Sequence, residues 1–192
     1  MDRYFQYAER HNCDAFVADY TELTKQDKIK RGVEIMREKP KDIDAFHLSN
    51  PHAHPYWAIN FEQHKSYFDG KPNCECMFTA IHNKNEVKRW ALLVELKYCK
   101  AKKQNMKRNA KKAWKQLLST HIILKDKGCI DKSYNVFLNI SMPPHAHHAP
   151  FTSFLSEAEI KKMKDKYNVI SLGYNQIIIA TPTFLKIPRE EV

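Results

Sequence analysis

Apolar residues along the chain recur in two patterns, and the first of them predicts strands. Runs rich in apolar, β-branched and aromatic residues occupy residues 76–81, 87–98, 134–141 and 176–181. The polar turn Asn83-Lys84-Asn85-Glu86 separates the first two runs. We therefore predict that these two runs form an antiparallel hairpin, followed later in the chain by two further strands.

The second pattern places apolar residues three or four positions apart, which predicts helices. It is strongest from about residue 103 to 125, and Gly128 follows as a helix stop. Ser156 and Glu159 have the spacing of a capping box, which begins a predicted helix that extends to about residue 167. The same spacing from residue 1 to about 39, ended by Pro40, predicts a helical N-terminal region. Residues 57–68 are expected to form a short helix or irregular structure.

This order of elements predicts a mixed α/β fold, in which helices pack on a mixed sheet. A length of 192 residues suits a single domain. Within it we expect an N-terminal helical extension (1–45), a core (58–140) and a C-terminal helix-strand addition (141–192).

Composition and charge narrow the classes of function. No apolar run is long enough to cross a bilayer, and the N-terminus lacks the apolar core of a signal peptide, so we expect a cytoplasmic protein without a membrane partner. Five scattered cysteines suggest reduced thiols rather than disulfides. The net charge of +10 favours a polyanionic partner, with nucleic acid the first candidate.

The strand 91–97 carries the candidate chemistry. Side chains alternate across a strand, so Glu95 and Lys97 emerge on the same face at the end of an apolar run. Buried charges need a partner or a metal, and Mg²⁺ prefers carboxylate oxygens. The hairpin would bring Glu75 beside Glu95, and the backbone carbonyl of Leu96 is a further candidate metal ligand. The simplest alternative is an ordinary ion pair between Glu95 and Lys97 on a solvated edge.

Together these residues resemble the PD-(D/E)XK nuclease superfamily. Glu75 stands at the first acidic position, and Glu95-Leu96-Lys97 forms the E-X-K element at the end of a long apolar strand. The resemblance implies a restriction-endonuclease-like core, ordered helix, three strands, helix, strand, over residues 58–140. It also implies that the two acids bind Mg²⁺ or Mn²⁺, and that Lys97 assists hydrolysis of DNA or, less often, RNA.

Some positions of this motif depart from the family pattern or have rivals. The first acid is Glu rather than the usual Asp, and Cys74 rather than Pro precedes it. Asp69 is a rival for the first acidic position, and Glu62 matches the extra acid that some members carry. Gln116 corresponds to a glutamine often found on the helix that follows the lysine, and the resemblance implies a catalytic role for it.

Residues 97–115, which lead into the predicted long helix and form its first turns, are rich in Lys and Arg and contain no acid. Such a run would bind phosphates next to the cleaved bond, although a solvated helix face is the common alternative. The candidate nucleic-acid-binding residues are Lys100, Lys103, Lys107, Arg108, Lys111 and Lys112.

Three further expectations concern partners, activity and a competing metal site. DNA is favoured over RNA as the partner, and a homodimer would supply two sites for cutting both strands. The alternative function is a catalytically inactive nuclease-like module that binds nucleic acid or a protein partner. A zinc site built from Cys74, Cys76 and the histidine-rich loops is disfavoured, because their spacing matches no known zinc motif.

Overall fold

The computed structural model describes residues 7–81, 88–98, 103–145 and 156–188. The strands in these ranges are β1 (Glu9–His11), β2 (Ala15–Asp19), β3 (Val33–Met36), β4 (Phe46–Ser49), β5 (Tyr56–Asn60), β6 (Cys76–Ala80), β7 (Arg89–Leu96), β8 (Tyr134–Ser141), β9 (Val169–Leu172), β10 (Gln176–Thr181) and β11 (Phe184–Lys186). The helices are a 3₁₀ helix (Glu62–Phe68), α1 (Lys103–Asp126) and α2 (Glu157–Tyr167).

The strands form two mixed sheets. The first sheet has the order β1-β5-β6-β7-β8-β9, and the second has the order β11-β10-β4-β2-β3. In the first sheet, β5 pairs antiparallel with β1 and with β6, and β6 pairs antiparallel with β7. The pairs β7–β8 and β8–β9 are parallel. The parallel half is where a helix connects consecutive strands, since α1 leads from β7 to β8 and α2 from β8 to β9.

The first sheet is covered on both faces. Side chains such as Leu93 and Leu138 pack with Leu117 of α1 on one face. On the other face, Leu92 and Val94 pack against the second sheet. This two-sided burial explains why β7 is a continuous apolar run rather than an alternating one.

Several sequence predictions are confirmed. The mixed α/β class holds, β6 and β7 form the predicted antiparallel hairpin, and β8 and β10 occupy the predicted positions. Helix α1 is followed by Gly128 in the left-handed conformation, with φ of +74°. The capping box is also present, with Ser156 and Glu159 bonding to each other's backbone. As an observation separate from these predictions, no helix in the described ranges is long and apolar enough to cross a membrane.

The predicted N-terminal helical extension is wrong for residues 7–45. This part of the chain contributes β1, β2 and β3, and Ala15 and Val17 lie in the core between the sheets. Ile29, which the three- and four-residue spacing places on the apolar face of the predicted helix, is 80% exposed. Pairing with distant strands therefore overrides the local three- and four-residue spacing. The helix expected before the three strands is absent from the described residues, and a 3₁₀ helix lies between β5 and β6 instead.

Candidate functional site

Glu75 and Glu95 lie side by side at the end of the hairpin. The register pairs Cys76 with Val94, so one further step places Glu75 opposite Glu95. The amide of Glu75 donates a hydrogen bond to the carbonyl of Val94 at 3.2 Å. Because Val94 faces the second sheet, Glu95 faces the opposite side, towards α1. Glu75 lies at the bend before β6 and borders the same cavity as Glu95. The predicted neighbourhood of the two acids is thus present.

Glu95 is fully buried, and among the described residues only one of its two carboxylate oxygens has a hydrogen-bond partner. Its Oε1 accepts a hydrogen bond from the ammonium of Lys97, whose side chain is 16% exposed. Its Oε2 is buried and has no hydrogen-bond partner among the described residues. The interpretation as an ordinary ion pair on a solvated edge is therefore wrong, because a carboxylate with 0% exposure has lost its water.

Burial raises the pKa of both carboxyl groups. The pKa of Glu75 lies well above its usual range because of burial, and the neighbouring Glu95 raises it further. One oxygen of Glu75 accepts a hydrogen bond from the amide of Leu96 at 2.8 Å, which partly opposes the shift. Burial raises the pKa of Glu95 to about 7, against the opposing charge of Lys97. A proton or a metal ion is therefore favoured between these carboxylates.

Both glutamates border a cavity of about 270 Å³ that has an excess of acids. Four carboxylates and two lysines contribute to its lining; these residues are Asp19, Glu62, Glu75, Glu95, Lys65 and Lys97. Burying more negative than positive charge is unfavourable unless a cation compensates for the difference. The composition of the cavity therefore suits a divalent cation.

Helix α1 supplies Gln116 to the same cavity. Thr120 fixes this part of the helix, because its hydroxyl accepts a hydrogen bond from the amide of Cys74 at 2.7 Å and donates one to the carbonyl of Gln116 at 2.9 Å. The amide nitrogen of Gln116 donates to the carbonyl of Asn73 at 3.1 Å. Its Oε1 is buried and has no partner in the described chain.

Two buried oxygen atoms, Glu95 Oε2 and Gln116 Oε1, thus belong to residues of one cavity and lack hydrogen bonds within the described chain. Buried oxygens are almost always paired, so each such atom needs an explanation. Oxygen is the donor that Mg²⁺ and Mn²⁺ prefer, and these residues fit a hard divalent cation. Magnesium keeps several waters, so it needs few protein ligands. This is compatible with the absence, in the described ranges, of three His, Cys, Asp or Glu side chains grouped closely enough to hold a metal by themselves.

Asp19 also lines this cavity, and it was not among the predicted site residues. It ends β2 in the second sheet, where its carboxylate accepts a hydrogen bond from the amide of Thr21 at 2.9 Å. Its own amide donates to the hydroxyl of Tyr98 at 3.4 Å, which links it to the end of β7. The signal was an acid at the end of an apolar strand, and it was missed because the segment was predicted to be helical.

The two rival acids have different positions. Glu62 lines the cavity, with one oxygen accepting from the amide of Val33 and the other from Lys65 at 3.1 Å. The carboxylate of Asp69 is 76% exposed and lies 3.9 Å from the ammonium of Lys127. Because Asp69 does not border the cavity, it is excluded as the acid opposite Glu95.

The basic residues of α1 lie near two different acids. The charge of Lys112 lowers the pKa of Glu95. Hydrogen bonds from Ser156 lower the pKa of Glu159 on α2, and the charges of Lys111 and Lys107 lower it further. Arg108 and Lys112 are four residues apart, and Gln116 follows after four more, so these three share one stripe of the helix. Lys100 and the side chain of Lys103 lie outside the described part of the structure.

The cysteines do not form a zinc pair. Cys74 packs in the core beneath α1, whereas Cys76 packs between the sheets, so their side chains lie on opposite faces of the first sheet.

A scan of protein-family models and searches of curated proteins and of solved structures found no match to this chain.

Proposed function

We propose that this protein is a Mg²⁺- or Mn²⁺-dependent nuclease that hydrolyses phosphodiester bonds, with DNA as the favoured substrate. The observation that carries the proposal is the acidic cavity, in which Glu75 and the unpartnered oxygens of Glu95 and Gln116 accompany Lys97. The resemblance to the PD-(D/E)XK superfamily adds support. Three antiparallel strands, a helix and a parallel strand follow the order that it implies, apart from the first helix.

Glu75, Glu95 and Gln116 are the residues that would hold the ion, and Asp19 of the second sheet lines the same cavity. The ion would polarise a phosphodiester and lower the pKa of a water molecule. Lys97 has a separate role, since its ammonium lies at the cavity and can offset negative charge on a phosphate or orient a water molecule. The predicted contribution of the Leu96 carbonyl remains part of this proposal.

The buried carboxyls make ion binding depend on pH. A carboxyl that holds a proton must release it before it can bind a cation. Because the pKa of Glu95 is about 7 and that of Glu75 is also raised, we expect the affinity for Mg²⁺ to rise with pH. From Glu95 alone the increase between about pH 6 and about pH 8 should be about tenfold.

Binding of the polyanion is assigned to the stripe of α1 that leads to the cavity. Arg108 and Lys112 are exposed, and Lys112 is close enough for its charge to act on Glu95. Cations at this position would hold phosphates beside the proposed ion. Binding through these phosphate contacts is expected to weaken as the salt concentration rises.

A catalytically inactive module that binds nucleic acid or a protein partner is the second candidate. The observation that favours it is the direct ion pair between Lys97 and Glu95, which neutralises both charges without a ligand. In the proposed nuclease, the ammonium of Lys97 must interact with the phosphate of the substrate. In the inactive module, Lys97 needs only to keep its ion pair with Glu95.

Cleavage of plasmid and single-stranded DNA, with Mg²⁺ or Mn²⁺ and with EDTA, separates the two candidates. Glu95→Gln, Glu75→Gln and Lys97→Ala should each lower the cleavage rate by about a hundredfold or more. Asp69→Asn removes an exposed acid outside the cavity and should cleave like the wild type. Activity that survives in both Glu95→Gln and Lys97→Ala would exclude this site. DNA binding without metal-dependent cleavage by the wild-type protein would favour the inactive module.

A further inference from the structure

A second cavity, of about 360 Å³, lies at the far end of α1. It is bordered by the last turns of α1 and α2 and by the beginnings of β8 and β9. The acidic cavity lies instead where β7 ends. Since β7 and β8 are parallel, the two cavities are at opposite ends of the parallel strands.

This second cavity is cationic. Three exposed lysines line it: Lys125, Lys132 and Lys166. None of the three has an ion-pair partner among the described residues, although Lys166 lies over the ring of Tyr167 at 5.1 Å. The one carboxylate in the lining, that of Asp131, accepts hydrogen bonds from the amide and hydroxyl of Ser133. The lysines are therefore free to meet an anion.

His121 provides a second, independent observation. Its side chain borders the cavity and is 3% exposed, yet neither ring nitrogen makes a hydrogen bond of normal geometry within the described chain. Burial lowers its pKa and a hydrogen bond to the Tyr167 backbone opposes the shift, so the ring is neutral and carries one N–H donor at neutral pH. Because this contact falls short of normal hydrogen-bond geometry, the buried ring is under-satisfied, and a ligand oxygen would improve its hydrogen bonding.

We propose that this cavity binds a phosphate monoester, from a free nucleotide or from the end of a nucleic acid strand. Three lysines and a histidine donor exceed what one carboxylate ligand would use, whereas a phosphate offers three acceptor oxygens and up to two charges. Tyr167 adds aromatic surface to the lining, which suits the sugar or base attached to the phosphate. This inference is independent of the nuclease proposal, because it shares no residue with the acidic cavity.

Titration with inorganic phosphate, deoxyadenosine monophosphate and deoxyadenosine tests the proposal on the full chain. Both phosphates should shift the imidazole NMR signals of His121, and deoxyadenosine should not. Lys132→Ala and Lys166→Ala should each weaken binding about tenfold, because each removes a charge-assisted contact. Lys162→Ala is the matched control, since it removes an exposed lysine of α2 that does not line the cavity.

Two results would overturn the proposal. One is the absence of any His121 shift in the wild-type protein at saturating phosphate or nucleotide. The other is equal weakening by Lys162→Ala, which would show only diffuse attraction to a basic surface. The wild-type NMR titration requires no substitution at His121, so it remains decisive even if a variant at this buried position fails to fold.

Oligonucleotides with a phosphate at the 5′ end, at the 3′ end or at neither end identify the source of the phosphate. Tighter binding of one phosphorylated oligonucleotide than of the unphosphorylated one, with a shift of the His121 signals, indicates a strand end, whereas equal binding of all three oligonucleotides indicates a free nucleotide. These titrations are made in EDTA with Glu95→Gln, so that no cleavage interferes. Phosphate binding should survive in this variant, and failure of the nuclease proposal would leave the result unchanged.

Discussion

Replacing Glu95 by Gln should stabilise the metal-free protein at alkaline pH. The pKa of Glu95 is raised to about 7 in the folded protein, compared with 4.5 for an unburied glutamate. The folded state therefore holds this proton more tightly than the unfolded chain does. The associated stabilisation is fully present below about pH 4.5 and is lost as the pH rises through about 7. The full difference corresponds to roughly 3 kcal/mol, and it applies without a solvent discount because Glu95 has 0% exposure.

Glutamine has the shape of the protonated glutamate but does not ionise. The unfolding free energy of the wild type, relative to that of Glu95→Gln, should thus fall by roughly 3 kcal/mol between about pH 4.5 and about pH 8.5. Urea unfolding in EDTA, followed by tryptophan fluorescence, measures both proteins across this range. Taking the difference removes the contributions of titrating groups that do not interact with Glu95, including the buried His121.

Two comparisons make this experiment decisive. Asp69→Asn removes an exposed carboxylate and should change the unfolding free energy by less than about 0.5 kcal/mol at every pH. Mg²⁺ added at about pH 8 should restore stability to the wild type and have little effect on Glu95→Gln. A difference curve that is flat, or that rises with pH, would show that Glu95 is not buried as described and would refute the reasoning.

Three further predictions concern hydrogen bonds that hold the site and the fold in place. Thr120→Val leaves the buried amide of Cys74 unpaired and should lower the unfolding free energy by about 1–3 kcal/mol. Thr120→Ser keeps the hydroxyl, so its unfolding free energy should fall by less in the same urea titration. Ser156→Ala should cost about 1 kcal/mol at neutral pH in thermal unfolding. The backbone amide and the hydroxyl of Ser156 both lower the pKa of Glu159, and the substitution removes only the hydroxyl, so part of the difference should be lost as the pH falls; an unchanged difference at acid pH would show that the bond from the hydroxyl to the carboxylate contributes little. Asn139→Ala removes the acceptor of the Tyr174 amide and should speed its hydrogen exchange, and unchanged exchange would show that the bond contributes little.

The predictable part of the fold carries strong local signals. The polar turn between β6 and β7, the capping box at Ser156 and the glycine after α1 each specify a boundary within a few residues of sequence. The second sheet is different, because its strands are short and its pairs are remote in the chain. Ala15 pairs with Leu48 and His47 with Gln176, so neither pairing has a local signal in the sequence.

The same distinction applies to the site. Strand alternation was enough to place Glu95 and Lys97 on one face, and the hairpin turn placed Glu75 opposite them. The position of Gln116 rested on resemblance alone. Asp19 could not be predicted, because it reaches the cavity only through the packing of the second sheet on the first.

The two-sided burial of β7 also bears on how faithfully the protein folds. A shift of the hairpin register by one residue would turn the side chains of Glu95 and Lys97 together from the cavity into the apolar layer between the sheets, away from Glu75 and Gln116. Moving both charges into an apolar layer costs several kcal/mol, so such misregistered chains should be rare. Glu95, which the proposed chemistry requires, therefore also disfavours misregistered folds. A chain that reaches the native register has its proposed metal ligands aligned.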